Sequence, residues 1–276
     1  MARGAAGHAR LLDRPLRAAP RAGGRMNPCL LIPIFEHKDT IRDVLESVEA
    51  LGLPCLVIND GSGPRTREVL DAIAKEFDWV EVQHHPVNCG KGAALRHGYR
   101  LAAARGFTHV LQFDADGQHD TRDAPRFLEA ARRDPRAMVL GQPVFDETAP
   151  RSRVWSRKLS VGFVWLATLS REVRDPLCGF RCLPLGPTLR VVEAIATGDR
   201  MDFDPELAVR LVWQGTRVVN LPTRVRYFAG GLSHFDVVWD DVRLASLYAR
   251  LTLRMLASLP AILVRRLRGQ RTWGRS

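Results

Sequence analysis

The sequence predicts an α/β protein built on a doubly wound, mostly parallel sheet, with an amphipathic helical extension at the C-terminus. Three observations predict it. Short apolar runs alternate with helical stretches through the first half of the chain. Three of the apolar runs lead into polar clusters, two of them containing glycine. And 276 residues, 46% hydrophobic and 26% charged, supply the core of one large domain.

The elements follow in order. Residues 29–35 read as a buried strand, and 40–51 as a helix with Asp39 placed to cap it. A second strand, 55–59, ends at the turn-forming Asp60-Gly61-Ser62-Gly63. A helix over 65–77, a strand over 80–84 and a helix over 91–105 come next, the last entered through Asn88-Cys89-Gly90. The fourth strand, 108–113, stops at Asp114-Ala115-Asp116. Ligands of such sheets bind beyond the carboxyl ends of the strands, where these clusters fall. The second half is less regular: strands over 137–144 and 179–183, helices over 155–169 and 205–213, and a strand over 216–220 leading by Pro222 into 224–228.

A net charge of +11 invites a nucleic-acid reading, but the charge sits at the ends. Residues 1–25 carry six Arg against one Asp, and residues 241–276 eight Arg against one Asp. The body between them, 26–240, is nearly neutral, with 27 basic and 28 acidic side chains. No nucleic-acid partner is therefore expected. Residues 1–25 lack the apolar segment of a secretory signal and read as a disordered basic tail. No 18-residue apolar stretch predicts a spanning helix. Residues 238–268 instead place Trp239, Leu244, Leu247, Leu251, Met255 and Leu259 at near-helical spacing among six arginines. That pattern suits the interface of an anionic membrane, or a helix packed on the domain. The division is then a tail (1–25), a catalytic domain (26–235) and a membrane-associating extension (236–276). Five cysteines at sparse spacing form no disulfide framework and suit a reducing cytoplasm, each as a packing residue.

The chemistry-bearing clusters are three. Asp114 and Asp116, one residue apart at a strand tip, can meet one hard divalent cation, Mg2+ or Mn2+. Asp60 can accept hydrogen bonds from a nucleobase or ribose. Asn88-Cys89-Gly90-Lys91-Gly92 opens a helix whose N–H groups and lysine favour a diphosphate. His84, His85 and His97 have no matching ligand partners and read as structural or surface histidines.

Together, Pro33-Ile34-Phe35, Asn59-Asp60-Gly61-Ser62, Asn88-x-Gly90-Lys91-Gly92 and Asp114-Ala115-Asp116-Gly117-Gln118 resemble family 2 glycosyltransferases, and within them the dolichol- and polyprenyl-phosphate sugar transferase branch. Asp175-Pro-Leu-Cys-Gly-Phe-Arg181 is similar to that branch's Asp-x-x-x-Gly-Phe-Arg segment. The resemblance implies the GT-A fold, a nucleotide-diphosphate sugar donor, a divalent metal and inversion at the anomeric carbon. It implies that Pro33 and Phe35 line the nucleobase pocket, that Asp60 holds the base, and that Asp114 and Asp116 bind metal and diphosphate. Lys91 would offset diphosphate charge. Asp175 matches the position of a general base, with Asp202, Asp204 and Glu206 as rivals, and Arg153, Arg157 and Arg181 would serve an anionic acceptor. Glu36-His37 departs from the family's Asn-Glu. The implied function is transfer to a lipid-linked acceptor, polyprenyl phosphate first, by a protein peripheral on the cytoplasmic face of the membrane. A hydroxyl of a lipid, a polyene-type pigment precursor or a cell-surface glycan is the alternative acceptor. A non-enzymatic membrane or nucleic-acid adaptor is the alternative of a different class. Residues 227–234, with adjacent glycines, suit a mobile lid.

Overall fold

Described residues of the computed structural model are 26–145, 151–194 (151–156 as backbone alone), 199–226, 245–257 and 259. The tail 1–25, the lid segment 227–234, Trp239, Leu244 and the basic cluster at 265–268 lie outside them.

Seven strands form one sheet in the order β3-β2-β1-β4-β6-β5-β7. They are β1 (Pro28–Ile34), β2 (Cys55–Asn59), β3 (Val80–His84), β4 (His109–Gln112), β5 (Ala137–Phe145), β6 (Arg181–Pro184) and β7 (Arg217–Val225). All run parallel except β6, which lies antiparallel between β4 and β5. The central strands are apolar on both faces because both faces are covered. Along β1, Cys29 and Leu31 enter one core while Leu30, Ile32 and Ile34 enter the other. The second core is closed by α1 (Ile41–Val48), α2 (Pro64–Glu76) and α4 (Ala124–Arg133). In α1, Ile41, Val44, Leu45 and Val48 recur at helical spacing and are all buried. The first core is closed by α3 (Lys91–Ala104), α5 (Arg151–Thr168), α6 (Leu185–Ala194) and α7 (Phe203–Trp213).

The chain winds outward from β1 through β2 to β3, then returns to lay β4 on the other side of β1. The carboxyl ends of β1 and β4 therefore flank a topological switch point, where a crevice opens. Pro33 fits inside β1 because the ladder to β4 ends at Leu31↔Gln112, leaving β2 as the one partner there.

Four expectations are corrected. Asp39 does not cap α1; Thr40 takes the cap position without a side-chain cap bond, and Asp39 pairs with Lys38 at 2.8 Å. β7 runs unbroken through Pro222, which is tolerated because β7 is the sheet edge. The sequence reading placed no element over α4 or α6. Cys89 is exposed and so is no packing residue, while Cys29, Cys55, Cys178 and Cys182 are buried thiols.

A helix over residues 245–257 buries Leu247, Tyr248, Leu251 and Met255 in the first core, with Tyr248 stacked on Phe163 of α5 at 5.0 Å. That stripe of the predicted extension is packed on the domain. Leu253 and Leu256 on the same helix are 66% and 51% exposed. Among the described residues no helix is long and apolar enough to cross a membrane.

Candidate active site

The polar clusters of the sequence meet at the switch point. Asp60 follows β2, and its buried carboxylate is tightly held. Oδ2 accepts from the Gly90 N–H at 2.7 Å, and Oδ1 from the Cys89 N–H at 3.0 Å and from Nδ1 of His85 at 3.0 Å. Gly61 makes this possible. Its φ is +71°, and a Cβ there would lie 2.2 Å from the Val87 carbonyl carbon. The 87–90 loop thus folds directly over the Asp60 turn.

Glu36 fixes the other wall. Its carboxylate accepts from the Gly63 N–H at 2.5 Å and the Thr66 hydroxyl at 2.8 Å, so it satisfies orphan donors at the start of α2. Its own N–H donates to the Ser62 hydroxyl at 3.0 Å, and its backbone takes a left-handed φ of 60°. Where the family pattern has Asn-Glu, this chain uses Glu36 to lock the loop after β1 to the turn after β2. Pro33 is buried in β1 and Phe35 is half-buried beside this loop.

Beyond β4 lies a second, denser cluster. The Lys91 ammonium sits 2.6 Å from Asp114 Oδ1 and 3.1 Å from Asp204 Oδ2. Arg181, fully buried, reaches Asp204 Oδ1 at 3.3 Å and donates to the carbonyls of Cys178 and Pro176. Burial works against the charge on Lys91, but Asp114 and Asp204 outweigh it and raise its pKa. Burial likewise opposes ionisation of Asp114, yet Lys91 and His119 hold its carboxyl well below the usual range. A Cβ on Gly179 would stand 2.2 Å from Asp114 Oδ2, so the backbone before β6 presses against that carboxylate. Asp116 spends Oδ1 on the Gln118 N–H at 3.0 Å, an Asx turn that shapes its own loop.

The structure thus brings Lys91, Asp114, Asp204 and Arg181 together beyond β4 and places Asp60 at the end of β2, on the other side of β1. Asp175 has partners of its own: Arg157 donates to both its oxygens at 2.7 and 2.8 Å, and the Leu177 N–H donates to Oδ1 at 2.9 Å. The start of α3 is not open as expected. The N–H groups of Gly92 and Ala93 donate to the Asp199 carbonyl, which Gly90 admits by lacking a Cβ.

His119 and His85 make contacts that the sequence does not announce. His119 lies with Nε2 3.7 Å from Asp114 Oδ2, and its buried Nδ1 has no hydrogen-bond partner among the described residues. Its place in Asp116-Gly-Gln-His119 was the available signal. Asp114 and Asp116 offer the oxygen ligands that Mg2+ and Mn2+ prefer, and His119 Nε2 stands beside Asp114 as a further donor. His85, expected as a structural or surface histidine, is bonded to Asp60.

Residues 29–186, more than half of the chain, match the Glycosyl transferase family 2 domain, and the chain belongs to that family. A dolichyl-phosphate beta-glucosyltransferase of Trichomonas vaginalis is 31% identical over 60% of this chain and 52% of its own length. An undecaprenyl-phosphate mannosyltransferase of Micrococcus luteus is 28% identical over 60% of this chain and 69% of its own. These relatives bear out the likeness to the polyprenyl-phosphate sugar transferase branch, although the chain spans about half the length of the first. The mannosyltransferase PcManGT from Pyrobaculum calidifontis, solved with GDP-Man and Mn2+, superposes with a TM-score of 0.53 at 19% identity. That overlay covers 78% of this chain and 61% of the other, and the shared architecture is the GT-A fold.

Proposed function

We propose that this chain is an inverting, metal-dependent glycosyltransferase that moves a sugar from a nucleotide-diphosphate donor to polyprenyl phosphate. The observation that carries the reading is the pairing of two sites across the switch point: an immobilised Asp60 for the base, and the Lys91–Asp114–Asp204–Arg181 network for the diphosphate. Asp60, fixed by two backbone N–H groups, presents its remaining lone pairs to a nucleobase without reorganising. Pro33 and Phe35 would line the same nucleobase pocket. Mg2+ or Mn2+ held by Asp114, Asp116 and His119 would neutralise the departing diphosphate. Lys91, already ionised beside Asp114, supplies a second positive charge to the same group.

A phosphate acceptor is an anion and needs cations more than a base. Arg157, held by Asp175, would receive it, and in that role Asp175 positions the guanidinium. For a hydroxyl acceptor, Asp175 or Asp204 would take the proton. The helix over 245–257 and the basic residues after it would hold the chain at the cytoplasmic face of a membrane, near its acceptor.

Thermal-shift screening against UDP, GDP and their sugars, with and without Mn2+, tests the donor site. One nucleotide is expected to raise the melting temperature in a Mn2+-dependent way that Asp116→Ala abolishes. No shift with any nucleotide at millimolar concentration would overturn the transferase reading and favour the adaptor.

A further inference from the structure

Asp60, His85 and Cys89 place a carboxylate oxygen, an imidazole nitrogen and a thiol sulfur all within 4.8 Å of one another. Among the described residues this is the one set of three such donors so close, and it lies at the β2–β3 end of the crevice, not at Asp114. We propose that these three residues form a second metal site, for a borderline-soft divalent cation of the Zn2+ kind.

Donor chemistry selects the ion. A thiolate, an imidazole and a carboxylate suit Zn2+, whereas Mg2+ and Mn2+ prefer oxygen. Around one tetrahedral Zn2+, ligand atoms stand about 3–4 Å apart. Asp60 Oδ1 and His85 Nδ1 are already 3.0 Å apart. The exposed Cys89 closes the remaining gap by side-chain rotation, giving up a 3.5 Å contact with the Val87 carbonyl.

The supporting shell is in place. Asp60 is fixed by the Cys89 and Gly90 N–H groups. His85 Nε2 lies 2.9 Å from His97 Nδ1, and the two rings stack 5.2 Å apart. In the metal-free chain His85 donates Nδ1–H to Asp60. With a cation at Nδ1, His85 carries its proton on Nε2 and donates to His97, whose own proton moves from Nδ1 to Nε2; this is the outer hydrogen bond typical of a metal-bound imidazole. Three protein ligands leave a fourth position open.

One consequence rests on the donor reading above: a cation on Asp60 would exclude the nucleobase from the same carboxylate. Zn2+ would then inhibit by competing with the donor nucleotide.

Co2+ titration of the full chain, followed by thiolate-to-cobalt absorption, tests the site without any donor. The other four thiols are buried, and burial pushes those of Cys178 and Cys182 up to about 12, so a thiolate band reports Cys89. The expected result is one thiolate-bound Co2+ per chain, displaced by Zn2+, with the band retained in Asp116→Asn. The band should vanish in Cys89→Ser, and Co2+ affinity should fall at least tenfold in His85→Gln. Circular dichroism and the melting temperature of both variants establish that they fold. A band that persists in Cys89→Ser, or no band in the wild type, overturns the site. If the site holds but Zn2+ leaves nucleotide binding unchanged, the competition is overturned while the site stands.

Discussion

Gly179 has no side chain, and Asp114 occupies the space one would need. A methyl group there would lie 2.2 Å from Asp114 Oδ2, so the carboxylate would have to swing away. Lys91, 2.6 Å from Oδ1, resists that swing. Gly179→Ala is expected to cost about 1–3 kcal/mol of stability, as overpacking does, while the chain still folds. The larger loss should be at the site: Mn2+-dependent stabilisation by nucleotide should disappear. Gly162→Ala is the control, because a Cβ on Gly162, within α5, meets nothing within 4 Å. A Gly179→Ala chain with wild-type Mn2+ response would show that Asp114 does not need the position it holds. Asp114, Asp116 and Lys91 were legible in the sequence because strand ends and helix starts can be located from apolar runs. Glu36, His85 and His119 were not. Their roles depend on partners 27, 25 and 5 residues away, and only folding reveals those pairings.

At the scale of elements, α3 shows how a glycine-rich start is used. Gly90 has φ +98°, and its missing Cβ lets the Asp199 carbonyl accept from Gly92 at 2.8 Å and from Ala93 at 3.3 Å. A Cβ would sit 2.3 Å from that carbonyl oxygen. Gly90→Ala therefore combines an essentially glycine-only backbone conformation, φ 98° with ψ 155°, costing about 1–3 kcal/mol, with overpacking of about 1–3 kcal/mol. The expected loss in urea unfolding is about 2–6 kcal/mol. Gly52→Ala, at φ 60° and ψ 29° with nothing within 4 Å, should show a left-handed backbone cost alone, about 1–2 kcal/mol. Equal losses in the two variants would remove the Asp199 contact from the account. Central strands were legible because burial on both faces makes them continuous apolar runs bounded by turns. α4 was not: Ala124, Phe127, Leu128 and Ala131 make a thin buried stripe with two large side chains. Pro222 broke the reading of β7 because whether a strand is central or edge cannot be told from its own residues.

Over the whole molecule, two cores sandwich the sheet, and the helix over 245–257 belongs to one of them. Its faces have different work. Leu251 and Met255, one turn apart, are buried, while Leu253 and Leu256 face out. On α5, which contacts this helix through Phe163 and Tyr248, Leu159 and Leu166 are also exposed and lie seven residues apart on one face. Exposed leucines on two adjoining helices, followed in sequence by a run of arginines, would suit the membrane-resting surface proposed above. The two faces predict separable phenotypes. Leu251→Ala removes core volume and should cost about 2–5 kcal/mol. The double variant Leu253→Ser/Leu256→Ser removes no core contact and should unfold within about 0.5 kcal/mol of wild type. Cosedimentation with phosphatidylglycerol vesicles should reverse the order, with the double variant losing binding and folded Leu251→Ala keeping it. Wild-type vesicle binding in the double variant would confine this helix to packing and leave the arginines beyond it as the only membrane contact.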